Sequence, residues 1–329
     1  MGKHLLALAL ILTGATGCDN VAWGGIDVQL QAPPASGEGT DSLGGGPTST
    51  DSVTKVPGAI LLAGDRFEER AELVVVGEIL EGGLTPFPDP RFPGDSARLA
   101  TLTAPGSEWV LFSEGVRVGR LVADTSEAAE DYCGAPHRVS GVLELVPSAV
   151  AAERFLAFPA EDVADLPYSA FAAHVDVFDQ RVAALAIARD AITRNGATLP
   201  SDGALGIREH TQAFQPVDAA RPWVATTFVN RDQLGIGSPS QGAYGLLVVA
   251  RPEGDGFVEA VSVFRSVEAE GKGVPQYHDH MDWDGDGASE ILVDVFGATR
   301  RWFAVLDRRD GQWVRSYEDS CGPAPRPTP

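Results

Sequence analysis

With 329 residues, 44% of them hydrophobic, and a mean hydropathy of −0.03, the chain fits a soluble globular body of one large or two small domains. Its formal charge is −21, and all but three of its 25 basic residues (Lys3, Lys55 and Lys272) are arginine. Such an acidic surface repels phosphate backbones and anionic headgroups, which argues against nucleic-acid binding and against purely electrostatic membrane attachment.

The chain opens MGKHLLALALILTGATGC, with a positive charge at Lys3, an apolar run over Leu5 to Leu12 and small residues before Cys18. Residues 1–17 therefore read as a signal peptide, too short to span a bilayer permanently. The end of it, Ala15-Thr16-Gly17-Cys18, resembles the lipobox of bacterial lipoproteins. That resemblance implies acyl chains, palmitate among them, on Cys18 as the mature N-terminus. Ala15 stands where the commonest lipobox has Leu, and it also suits ordinary signal cleavage. Residues 18–56 then form a lipidated start and a tether of Pro, Ser, Gly, Thr and Asp. The biased stretch itself, from Ala32 to about Val56, reaches about 25 to 30 Å, enough to hold a body off a membrane. Before it, over Val21 to Gln31, Ile26, Val28 and Leu30 alternate with polar residues, a short strand or a sticky linker.

Two cysteines remain for an oxidising compartment, Cys133 and Cys321, in the similar settings EDYCG and EDSCG. They are expected to pair. In the chain-entropy model, closing so long a loop removes about 5 kcal/mol of unfolded-state freedom.

The body is expected over residues 57–321, with possible subdomains at about 57–175 and 176–321 and a disordered tail over 322–329. Short β-branched runs between Gly, Pro and Asp clusters predict strands at Glu72–Ile79, Arg98–Thr103, Trp109–Ser113, Val116–Val122 and Arg138–Val146. One helix is predicted from Phe178 to about residue 195, with Val182, Leu185, Ala188 and Ile192 at helical spacing, Asp176 or Asp179 as cap, and a stop at Asn195-Gly196. The Ala content predicts close packing against a sheet. Further strands are expected at Trp223–Val229 and Glu290–Phe296, with hairpins closing around PEGDG and DRRDG. The fold class is α+β, mostly β, with antiparallel hairpins. Trp109, Trp223, Trp302 and Trp313 lie in these runs, where core packing is their expected fate.

DWDGDG at 282–287 places Asp282, Asp284 and Asp286 at loop positions 1, 3 and 5, with Glu290 at position 9 and the carbonyl of Ala288 available. Hard cations need such converging oxygens. An EF-hand would require Glu at position 12, where Val293 stands, and a helix where Ile291-Leu292-Val293 reads as strand. The pattern instead resembles the calcium loops of FG-GAP and VCBS repeats, which implies a structural Ca2+ on a strand–loop–strand unit. It occurs once, so a complete propeller is not expected.

Upstream, His278-Asp279-His280 has the His-x-His spacing of a metallo-hydrolase strand, where residues two apart share a face. Trp283 replaces that motif's last His. His278 and His280 thus form an alternative metal site and carry the alternative function, a secreted metal-dependent hydrolase. His137, His174 and His210 are isolated, and no catalytic residue is assigned. The leading expectation is a non-enzymatic, lipid-anchored cell-envelope protein with a calcium-stabilised binding or scaffolding body, attached to the membrane through its lipid and meeting an envelope partner.

Overall fold

The structure is a computed structural model and describes residues 58–163 and 170–319. Cys18, Cys321, the signal peptide, the whole 18–56 tether with its Val21–Gln31 stretch, and the 322–329 tail lie outside these residues.

Strand β1 (Ala59–Phe67) pairs antiparallel with β2 (Arg70–Leu80), which is extended by a short β3 (Gly83–Thr85). Next come helix α1 (Gly94–Leu102), the hairpin β4 (Glu108–Ser113) and β5 (Val116–Ala128), then β6 (His137–Leu145) and β7 (Arg154–Pro159). The order β1-β7-β4-β5-β6-β2, together with the β1–β2 pairing, closes a six-stranded antiparallel barrel with β3 appended outside. Closure removes the edges that open sheets leave unpaired.

Short α2 (Ala160–Val163) ends this half, and α3 (Phe178–Arg194) begins the next. A four-stranded meander follows: β8 (Arg208–Phe214), β9 (Trp223–Asn230), β10 (Tyr244–Glu253) and β11 (Gly256–Ser266). After α4 (Val267–Glu270), a second four-stranded meander comprises β12 (Val274–Met281), β13 (Glu290–Phe296), β14 (Arg301–Arg309) and β15 (Gln312–Glu318). The α+β, mostly antiparallel β class predicted from sequence is what the chain adopts, and it is not a propeller.

Strand alternation explains how these parts stack. Along β1, Ile60 and Leu62 point into the barrel with Leu111 and Phe155, while Leu61 and Ala63 point outward to meet Leu292, Phe303 and Val305 of the second meander. The opposite face of that meander, carrying Ile291, Val293, Trp302 and Ala304, packs on Phe214, Trp223, Leu247 and Val249 of the first. The first meander's far face, with Phe228, Leu246 and Val248, receives α3. The order is barrel, second meander, first meander, helix, and the second meander is covered on both faces.

Three sequence expectations need correction. Arg98–Thr103 is not a strand; most of it belongs to α1, where Leu99 is buried in the barrel cluster and the Thr101 and Thr103 hydroxyls donate back to the Ala97 and Leu99 carbonyls. Arg, Leu and Ala favour the helix, and the barrel mouth offers Leu99 a core. In α3 the buried face runs through Ala184, Ala188, Ala191 and Ile192, leaving Val182 about half exposed. The expected Asp cap is also absent: Val177 occupies that position and Gln180 Oε1 accepts its N–H at 2.8 Å, while Asp176 pairs with Arg181 at 2.8 Å. The Ala-rich packing and the Asn195-Gly196 stop are as predicted, with Gly196 at φ 69°.

Candidate functional site

The β12–β13 connection is a tight loop tied by its own carboxylates. Asp282 accepts the Gly285 and Gly287 N–H groups at 2.7 and 3.0 Å, and Asp284 accepts that of Asp286 at 3.1 Å. Gly285 and Gly287 take φ of 76° and 88°, conformations costly for other residues. Asp282, Asp284 and Glu290 bring one oxygen each within 4.8 Å of one another, a set able to hold a metal ion. Asp286 is not in that group. Its carboxylate accepts the Ala288 N–H at 2.7 Å. Glu290, the first residue of β13, is buried, and lost solvation together with the charges of Asp284 and Asp307 pushes its carboxyl up to about 8. Among the described residues no basic side chain pairs with these three acids. A cation would supply the missing charge.

The two histidines of the alternative metal site do not share a face. Pairing between β12 and β13 slips between Tyr277 and Asp279, so His278 is the extra residue of a bulge. Its ring meets Phe303 edge-on toward the barrel, whereas that of His280 lies against Phe214 in the inter-meander core. His280 Nε2 donates to the Gln215 carbonyl at 3.0 Å, which leaves Nδ1 to accept the Tyr277 hydroxyl at 2.8 Å. Both nitrogens are occupied. Burial pushes both imidazoles down to about 4, so they are neutral core groups near neutral pH.

A second feature lies where the barrel meets both meanders, a cleft of about 160 Å3. Glu114, on the β4–β5 turn, enters it in a left-handed conformation (φ 50°), and Gly115 follows at φ 73°. Its carboxylate accepts from Gln212 at 3.4 Å and bonds His174 Nδ1 at 2.5 Å. Asp279 holds the turn from the other side, accepting the Glu114 N–H at 3.0 and 3.2 Å and its neighbour His280's N–H at 2.8 Å. Arg154, at the start of β7, donates to the Tyr277 carbonyl at 2.8 Å and also lines the cleft. His210 of β8 faces it too, and burial beside Arg154 pushes its imidazole down to about 4. Sequence reading missed Glu114 and Arg154. The one signal was Glu-Gly between two strands, a turn position that favours Asn, Asp or Gly.

Asp279 gives a pH test. Burial pushes its carboxyl up to about 8, so the folded chain keeps a proton that the unfolded chain sheds near pH 4. The stability from this group is complete below about pH 4 and is lost as pH rises through about 8. Asp279→Asn keeps an oxygen for both N–H groups and cannot ionise. It is expected to gain on the parent by up to about 1.4 kcal/mol per pH unit across that window. Urea midpoints of the two proteins that stay parallel from pH ~5 to ~8 would contradict this.

The fold and the two sites define an antiparallel β protein, barrel plus paired meanders, with an acidic turn and a small polar cleft. No protein-family profile matches the chain, and neither a curated protein nor a solved structure matches it.

Proposed function

We propose that this is a lipid-anchored protein of the bacterial cell envelope whose body is a binding or scaffolding module braced by calcium at the β12–β13 loop. The observation that carries the reading is the convergence of Asp282, Asp284 and Glu290 on a strand–loop–strand unit with no basic partner among the described residues. Oxygen donors from carboxylates suit Ca2+, and extracellular calcium commonly serves as a structural brace. Among the described residues no helix is long and apolar enough to cross a membrane. In this proposal attachment runs through acyl chains on Cys18.

The Cys133–Cys321 bridge belongs to the same reading. Cys133 donates its N–H to the Arg301 carbonyl, and Asp319, two residues before Cys321, donates its own to that of Phe303. Both segments thus border the start of β14, which supports their pairing.

Calcium at about 100 times its dissociation constant contributes about 2.7 kcal/mol, a rise in melting midpoint of about 5 to 10 °C for a body of this size. The rise is expected in the parent protein and absent in Asp284→Ala. Identical melts in calcium and in chelator would overturn the calcium assignment.

A further inference from the structure

We propose that the cleft between Glu114 and Arg154 binds a small zwitterion, a molecule of amino-acid type with an ammonium at one end and a carboxylate at the other. The inference is independent of the acidic loop and of the lipid anchor, because no residue of the cleft belongs to either.

Size sets the first limit. A cavity of roughly 150 Å3 holds a six-atom ring such as benzene, so about 160 Å3 suits a ligand of five to seven non-hydrogen atoms, the size of glycine, alanine or serine. Drug-sized ligands need several times that volume.

The lining supplies both charges. Glu114 presents a carboxylate that is only weakly engaged by Gln212 on one oxygen, and His174 and Asp279 fix its position through the side chain and the backbone. An ammonium donor placed there meets a pre-oriented acceptor. Arg154 spends Nη1 on the Tyr277 carbonyl and stands 3.9 Å from Asp65 through Nε, and its Nη2 makes no hydrogen bond among the described residues. His210 and Ser113 also line the cleft without a side-chain hydrogen bond to a described residue. These groups offer donors to a carboxylate, and a planar guanidinium suits that shape. Phe171, Ala151 and Ala152 form an apolar wall able to take a methyl or methylene. Asp279, kept mostly protonated by burial, adds little negative charge to repel the carboxylate end.

Each charge needs its counterpart in the ligand, so a one-headed analogue leaves either Glu114 or Arg154 without one. Titration calorimetry of the intact folded body with glycine, L-alanine, acetate and methylammonium tests this directly. Glycine or alanine is expected to bind at least about tenfold tighter than acetate or methylammonium. Glu114→Gln, close in shape to the parent, is expected to lower that affinity at least about tenfold. Arg154→Lys, which keeps the charge and loses the fork, is expected to lower it by a smaller factor. Circular dichroism melts confirm that each variant is folded. Absence of zwitterion binding at millimolar concentration, acetate binding as tightly as glycine, or full affinity in folded Glu114→Gln would each overturn the proposal. A calcium-independent melt beside intact glycine binding would overturn the calcium assignment alone.

Discussion

Phe303→Ala is expected to destabilise the body by about 3 to 5 kcal/mol, a large share of the total stability of a single domain. Phe303 is fully buried on β14, stacked on Tyr132 at 5.1 Å and met edge-on by His278 at 5.9 Å. It belongs to the cluster that joins the outer wall of the barrel to the second meander. Truncation leaves a cavity that neighbours on two sheets cannot close, because each is held by its own ladder of hydrogen bonds. Phe303→Leu retains most of the volume and is expected to cost much less. Denaturant midpoints for the two variants decide the matter, and equal small losses would mean that the interface repacks.

Lys272→Met is expected to cost about as much, for a different reason. Lys272 is the one lysine of the described residues, and its ammonium lies 2.7 Å from Asp232 with both side chains essentially excluded from solvent. Asp232 Oδ2 has no hydrogen-bond partner among the described residues, and Oδ1 accepts from Lys272 and from the Gln233 N–H at 2.8 Å, so the lysine is the one cation among them that offsets that buried charge. Removing one member of such a pair typically costs 3 to 5 kcal/mol, roughly, whereas exchanging both for apolar groups is often neutral. The double variant Lys272→Met with Asp232→Leu should therefore recover most of the loss. A double variant no better than the single one would show that the pair's surroundings are not apolar enough to accept it.

The parts of the fold legible in the sequence were those whose signal is local. The hairpin at DRRDG closes as expected, with Asp310 and Gly311 at φ 52° and 76°. At PEGDG the turn sits one residue earlier, with Gly254 at φ 55° and Gly256 already in β11. The α3 helix announced itself through periodicity and its Asn-Gly stop. What stayed hidden depends on distant partners. Barrel closure pairs Leu62 of β1 with Ala157 of β7, nearly a hundred residues apart, and nothing in either strand names the other. Arg98–Thr103 is short enough to satisfy a strand or a helix pattern, and burial of Leu99 in the barrel cluster decides for helix α1. The acidic loop was legible because five of its features lie within nine residues. The cleft was not, since Glu114, Arg154, His210 and Asp279 come from four separate strands or turns. The His278 bulge shows the same limit: a single extra residue reverses a side chain's face, and spacing alone cannot reveal it.

The burial of the second meander on both faces bears on how this chain can be divided. Cut between the barrel and the meanders, the first half would present Leu61, Val74, Val110 and Phe112 to water, and the second half would present Leu292, Phe303 and Val305. Each piece would then carry an uncovered apolar wall of the kind that drives association. The acidic loop lies at one end of the sheet that both halves need, so an ion bound there would steady the one element whose loss exposes two cores at once. A body with such a seam through its middle is accordingly expected to unfold as one cooperative unit, and either half cut at the sequence midpoint is expected to aggregate.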